Sequence, residues 1–191
     1  MQERIDLGPG RAIRHNGDPG RCAVLLPGRF YPTRAPGLWF AREAAMASGW
    51  SALEVLGEPG EHQDPLGWER ACAERAIEAA GTARVLVIGK SLASLLSGEV
   101  SDRGLPAVWL TPLLGESEVV DGLARARRPT LLASGDADPT WLTDALPANP
   151  ELEVLALPGV DHGLQVAGDL GASLAALRRL SEAVARLAER V

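Results

Sequence analysis

Ser91 sits in "RVLVIGKSLASLLSG", a stretch beginning at Arg84 in which an apolar run turns abruptly into a second apolar pattern. A serine at such a turn can close a phosphate loop, cap a helix or act as a nucleophile. Gly89, Lys90 and Ser91 spell the end of a phosphate loop, but five residues before Gly89 stands Arg84 where that loop needs glycine. The apolar string Val85–Ile88 reads as a strand, and a strand cannot also be the amide nest that wraps phosphates. Lys90 then becomes the variable residue beside the serine. Capping is chemically sound, because a serine before "LASLL" can accept hydrogen bonds from first-turn amides. It leaves the small residues Gly89 and Ala93, two positions either side of Ser91, without a reason. Small flanks let a strand turn sharply into a helix, holding a hydroxyl clear of the backbone and leaving first-turn amides free for a developing oxyanion. The last small position of that nucleophile-elbow pattern is glycine, and here it is Ala93.

A nucleophilic serine needs a base and a group to orient it. His162 follows an apolar run in "LALPGVDHGLQV", and Asp136 and Asp138 follow another in "LLASGDADPTW", giving the order serine, aspartate, histidine. Loops at strand ends can present an imidazole to a crevice without burying an unpaired nitrogen. Each residue also has a plain alternative: Asp138 before Pro139 starts a turn, and His162 is a solvated loop residue. His62, with Glu58, Glu61 and Asp64 in "GEPGEHQDP", suits a polar rim and has no recognised ligand spacing, so no metal is expected. No glycine fingerprint supports a dinucleotide, and no cofactor is expected. Cys22 and Cys72 form neither a metal-type nor a redox-type pair and read as reduced thiols.

The elements that must position these residues alternate along the chain. "CAVLLPG" from Cys22 reads as a buried strand, "APGLWFAREAAMASGW" as a helix, and "SALEVLGEPG" as a second strand. Asp64–Gly81 has helical spacing, with Asp64 as cap and Pro65 in the first turn. "ARVLVIG" is apolar throughout Val85–Ile88 and should be covered on both faces, with a short helix following from Ser91. Leu105–Leu114, "PTLLASGD" and "ELEVLALPG" add strands, and "GESEVVDGLARARR" and the long closing segment from Asp169 add helices. The opening "MQERIDLGPGRAIRH" is polar and glycine-containing and carries no element in this reading. Alternating strands and helices imply an α/β class: a doubly wound, mostly parallel sheet with helices on both faces.

The 191 residues fit one domain spanning 1–191, and 46% hydrophobic residues supply a core of alanine, leucine and valine with a few of the five tryptophans as anchors. A net charge of −6 makes nucleic acid and anionic membranes poor partners. Arg125, Arg127 and Arg128 close a helix before Pro129, where positive charge suits the helix dipole. No apolar stretch approaches membrane-spanning length, no secretory leader is evident, and cytoplasmic residence is the default expectation.

On "LLPGRFY", "GKSLA", "SGDADPTW" and "PGVDHGL", the chain from about Cys22 to its last helix resembles the alpha/beta-hydrolase superfamily, especially small, nearly capless serine hydrolases of the dienelactone-hydrolase-like and esterase-like kinds. The resemblance implies Ser91 as nucleophile, His162 as general base and Asp138, rather than Asp136, as the orienting acid. The oxyanion would be received by the backbone N–H of Leu92 and that of Arg29 or Phe30. Larger relatives insert a cap between the strand at Leu105–Leu114 and the strand before the acid, where this chain has only a short turn and one helix, so an open cleft is expected. Trp39, Trp109, Leu113 and Trp141 are candidates to line it. The expected activity is hydrolysis of a small-molecule ester or related acyl substrate through an acyl-enzyme. The alternatives are an inactive hydrolase-fold interaction domain and an acyltransferase; a homodimer through a surface helix is compatible with each.

Overall fold

The computed structural model describes residues 3–57 and 64–191. The expected polar rim at His62, Glu58 and Glu61 lies outside the described residues. At the middle of the sheet is β5 (Arg84–Lys90), flanked by β3 (Asp18–Leu26) and β6 (Ala107–Leu110), all parallel. Next to β3 comes β4 (Trp50–Leu56), and β7 (Thr130–Gly135) and β8 (Leu152–Leu157) extend the other side, again parallel. β1 (Glu3–Asp6) and β2 (Arg11–His15) add an antiparallel hairpin, giving eight strands in the order β1-β2-β4-β3-β5-β6-β7-β8.

The central strands carry no polar face because both faces are covered. From β5, Leu86 and Ile88 pack with α1 (Pro36–Ala47) and α5 (Leu170–Arg190), while Val85 and Val87 pack with α2 (Pro65–Ala79), α3 (Ser97–Asp102) and α4 (Ser117–Ala124). Ala23 and Leu25 against Cys22, Val24 and Leu26 repeat that division in β3. The two-residue alternation of a strand therefore assigns each apolar side chain to one of two cores. Asp64 caps α2 as expected, its carboxylate accepting from the N–H groups of Leu66 and Gly67, and Asp169 caps α5 by accepting from Ala172 N–H. Across the α1/α5 layer, Trp50 on β4 donates its indole N–H to the Ala188 carbonyl at 3.0 Å.

Two expectations change. The polar opening holds β1 and β2, which hydrophobic patterning could not reveal: "ERID" is an edge strand with mostly exposed charged residues. Such an edge resists pairing with a second chain and has no apolar period to read. The strand expected over Leu105–Leu114 is only Ala107–Leu110, because Pro106 cannot donate to the ladder and Thr111, at φ 45°, turns the chain out of it. Between β6 and β7 there is one short helix, α4, and no cap. Among the described residues no helix is long and apolar enough to cross a membrane.

Candidate active site

β5 delivers Ser91 to the carboxyl end of the sheet, where a 3₁₀ segment, Ser91–Leu96, begins at once and runs into α3. Lys90 is still extended, at φ −128° and ψ 138°, whereas Ser91 has φ 50°. A non-glycine residue in that region costs of order 1–3 kcal/mol and persists only where the surroundings impose it. The N-cap position of the segment is Lys90, and the hydrogen bond of the Ser91 hydroxyl is to His162 Nε2 rather than to a first-turn amide, so the capping reading of this hydroxyl falls away.

Ala93, where the elbow pattern has glycine, is fully buried. A methyl built on Gly89 would lie 2.7 Å from Trp109 Cζ3 and 2.8 Å from Ala93 Cβ. Gly89 therefore leaves the room that Ala93 uses, and the departure at position 93 is absorbed two residues upstream of the serine. Gly89→Ala is expected to destabilise the protein by about 1–3 kcal/mol, as overpacking does, and to lower any reactivity of Ser91. Urea unfolding of the variant beside wild type checks the first effect.

His162 stands in a loop after β8 whose ends are held by the bridge between Val160 and Val166. Within it, Asp161 N–H donates to the Gln165 carbonyl at 2.8 Å and Gln165 N–H to Asp161 Oδ1 at 3.0 Å. The loop is thus tied to itself, and the imidazole it presents has a side-chain exposure of 36%. Its Nε2 lies 2.9 Å from Ser91 Oγ, and its Nδ1 lies 3.0 and 3.1 Å from the two oxygens of Asp138. Hydrogen bonding assigns the proton to Nδ1, so that Nε2 accepts from the serine hydroxyl.

The Asp138 carboxylate is buried, which by itself would raise its pKa; hydrogen bonds from His162, the Ser134 hydroxyl (2.7 Å), Thr140 N–H (2.9 Å) and the Thr140 hydroxyl (2.8 Å) outweigh burial and hold it well below the usual carboxylate range. It is an ionised acceptor at every pH near neutrality. The turn expected from Asp-Pro is present too, since the bond to Thr140 N–H closes it: one carboxylate shapes the loop and faces the imidazole. Asp136 does not reach His162. It accepts from Gly159 N–H at 2.6 Å, tying the end of β7 to the turn after β8, which corrects its candidacy as the orienting acid.

Arg29 and Phe30 occupy the two central positions of a turn closed by Gly28 N–H to the Tyr31 carbonyl (2.9 Å) and Tyr31 N–H to the Gly28 carbonyl (3.0 Å). Phe30, at φ 57°, is in the left-handed region. A methyl on Gly28 would sit 3.5 Å from Ser91 Cβ, so this turn rests against the serine. Among the described residues neither the Arg29 nor the Phe30 N–H has an acceptor. Leu92 N–H, in the first turn of the 3₁₀ segment, belongs to the set of helix-starting donors without an intrahelical partner.

The candidate pocket residues divide. Leu113 and Trp141 are half-buried on loops at the carboxyl end of the sheet; Leu113 N–H donates to the Ser94 hydroxyl and Trp141 N–H to the Asp138 carbonyl. Trp109 is 1% exposed and packs under Gly89, so it floors the elbow and offers no surface to a substrate. Trp39 lies on α1 with its ring edge against Phe40, 4.8 Å between centroids, and Arg42 at 6.0 Å; none of these contacts involves Ser91, His162 or Asp138. Ser134 and Thr140 went unnoticed in the sequence, and Lys90 reads there only as the variable residue beside the serine. The run Asp-Pro-Thr could have identified Thr140, because an aspartate side chain commonly accepts from the N–H two residues on. Ser134 and Lys90 carry no local signal. Lys90 is not a free variable residue: it is 2% exposed and makes two hydrogen bonds through its ammonium.

Cys22 and Cys72 are both free and buried, and burial raises each thiol's pKa, with the nearby Glu69 carboxylate adding to the rise that takes Cys72 to about 12. Neither is a reactive thiolate at neutral pH. Among the described residues no group of three or more histidine, cysteine, aspartate or glutamate side chains could hold a metal ion.

No family model matches the chain, and no curated protein matches it by sequence. Solved structures match it closely in shape. An alpha-beta serine hydrolase homologue from Coxiella burnetii superposes with a TM-score of 0.75 over 97% of this chain and 96% of that one, at 11% identity. Dienelactone hydrolase from Anabaena variabilis gives 0.70 over 95% and 94% at 18% identity. A serine hydrolase without lid from Xanthomonas campestris gives 0.70 over 100% and 94% at 17% identity. The chain adopts the alpha/beta-hydrolase fold in its small form, without a large cap.

Proposed function

We propose that the protein is a serine hydrolase that cleaves small esters or related acyl compounds through an acyl-enzyme on Ser91. The observation that carries this reading is the unbroken hydrogen-bonded line from Ser91 Oγ through His162 to the buried Asp138, with contacts of 2.9, 3.0 and 3.1 Å. His162 Nε2 takes the hydroxyl proton as Ser91 Oγ attacks the acyl carbon, then returns it to the leaving oxygen; water activated by the same nitrogen releases the acid. Asp138 keeps the proton of the resting imidazole on Nδ1 and stabilises the imidazolium. The N–H groups of Leu92 and of Arg29 or Phe30 receive the negative oxygen of the tetrahedral intermediate. Strain at Ser91, paired with a base and an ionised acid, favours chemistry over a fold retained for binding. The hydrolases among its structural neighbours support the class. The absence of a cap supports small substrates that enter an open cleft.

Incubation with a fluorophosphonate followed by peptide mass spectrometry is expected to find one adduct, on Ser91, and labelling at least a hundredfold slower in His162→Ala. A folded wild-type protein that acquires no adduct overturns the proposal. A panel of short-chain p-nitrophenyl esters, thioesters and anilides then assigns the preferred bond.

A further inference from the structure

The most unusual side chain near the site is that of Lys90, which the proposed chemistry does not use. By the two-residue alternation of a strand it shares the α1/α5 face of β5 with Leu86 and Ile88, and it is 2% exposed. Its Nζ donates to Thr111 Oγ1 at 2.9 Å and to the His162 backbone carbonyl at 2.8 Å, and stands 4.4 Å from the centroid of the Tyr31 ring. An ammonium has three protons to place, and here each has a partner from a different strand-end segment: Thr111 after β6, His162 after β8, and Tyr31 closing the turn of Arg29 and Phe30 after β3. A single charge thus joins the strand that carries the serine to the loop that carries the base and to the turn that rests against the serine. It makes no hydrogen bond to Ser91 Oγ or to Asp138.

Folding does not gain from that charge. Burial lowers the lysine's pKa to about 8, against the opposing pull of Asp138 and Asp161. Because the folded value lies below the unfolded one, the unfolded chain holds more protons between about pH 8 and the ordinary lysine range, and stability attributable to this group rises with pH across that window. An apolar side chain of the same length would fill the space without desolvating an ammonium.

We infer that Lys90 is a positioning residue, which anchors the His162 backbone and the Arg29–Phe30 turn so that the imidazole stays on Ser91 Oγ. Its kinetic consequence rests on the serine-hydrolase reading above; its effect on the imidazole does not. The groups facing the ammonium are the phenol of Tyr31, the carboxylates of Asp138 and Asp161, and His162 through its carbonyl. Burial raises the Tyr31 pKa, so that phenol stays neutral while the lysine titrates.

Lys90→Met tests this in the full-length chain. Fluorophosphonate labelling and kcat on p-nitrophenyl acetate are expected to fall about tenfold to hundredfold, the usual cost of a small misplacement of a reacting group, with KM changed less than twofold and Tm unchanged or raised. The wild-type labelling rate should decline above about pH 8, and the methionine variant should lack that decline. Lys90→Gln, which keeps an N–H donor, should recover part of the rate. A second readout needs no nucleophile: in a Ser91→Ala background the nitrogen-bound proton resonance of His162 Nδ1 should shift or broaden on Lys90→Met. If wild type is never labelled but the resonance responds to Lys90→Met, the hydrolase reading fails and the positioning role stands. If the resonance and labelling rate both stay within error of wild type, or if both variants lose reactivity in step with a lower Tm, Lys90 is only packing and the inference is overturned.

Discussion

Ser91→Ala is expected to lower kcat/KM for a responsive ester by about a millionfold, and adding His162→Ala is expected to cost nothing further. The reason is mechanical. In the proposed mechanism Ser91 Oγ and His162 Nε2, 2.9 Å apart, act in one step, so a base without a nucleophile has no proton to take and a nucleophile without a base remains a neutral hydroxyl. Whatever survives should come from binding and from the N–H groups of Leu92 and the Arg29–Phe30 turn. Initial rates of the two single variants and the double variant on one ester make the check; additive losses would mean that serine and histidine act separately. The backbone makes a companion expectation. At φ 50° the residue at 91 is strained whatever its side chain, unless it is glycine. Ser91→Gly and Ser91→Ala should be equally inactive, but the glycine variant should be more stable by about 1 kcal/mol, which chemical denaturation of the pair can measure.

Asp138→Asn is expected to lower kcat by about ten-thousandfold while leaving the fold intact. An amide in that place offers an N–H toward Nδ1 and so drives the imidazole proton to Nε2, where it points at the serine hydroxyl and cannot accept from it. Ser134 and Thr140 still hold the side chain, which is why geometry should survive. The same substitution has a consequence for acid stability. Asp138 has its pKa depressed in the folded protein, through its four hydrogen-bond donors and in spite of burial. Its ionised form therefore adds stability that is complete above the ordinary aspartate value of about 4 and is lost as pH falls below it. The wild-type advantage over Asp138→Asn in Tm should shrink steadily once the pH drops under about 4. Asp136→Asn, by contrast, is expected to leave kcat within about threefold, because that carboxylate bonds Gly159 N–H and does not face the imidazole.

How far the site could be read beforehand depended on how local its signals were. Gly89-Lys90-Ser91-Leu92-Ala93 is a contiguous pattern, and the requirement for small residues around a strained serine acts within five residues; it was legible, with Ala93 the one doubtful position. That doubt needed coordinates to answer, since the space for the Ala93 methyl exists only because Gly89 and Trp109 meet there across two strands. Aspartate before proline is likewise a local signal, and the resemblance favoured Asp138 over Asp136; that Asp138 is the carboxylate facing His162, more than twenty positions away in sequence, is visible only in the structure. The tryptophan candidates divided, Trp109 into the core and Trp141 onto a loop at the carboxyl end of the sheet, because ring size says nothing of whether a ring points into a core or a cleft.

What the sequence by itself determined was the alternation of apolar strands and amphipathic helices, the doubly wound mostly parallel sheet, the lack of room for a cap between β6 and β7, and the order of serine, acid and histidine. The alternation and the sheet follow from periodicity, which each segment carries within itself; the missing cap and the roles of the three residues came with the family resemblance. Only the tertiary structure decided the antiparallel hairpin at the edge, the separate partner of Asp136, and the burial of Lys90 among Thr111, Tyr31 and the His162 carbonyl. Each depends on contacts between segments brought together from distant parts of the chain, and a charged residue one position before the serine looks the same in sequence whether it faces water or holds three loops in place.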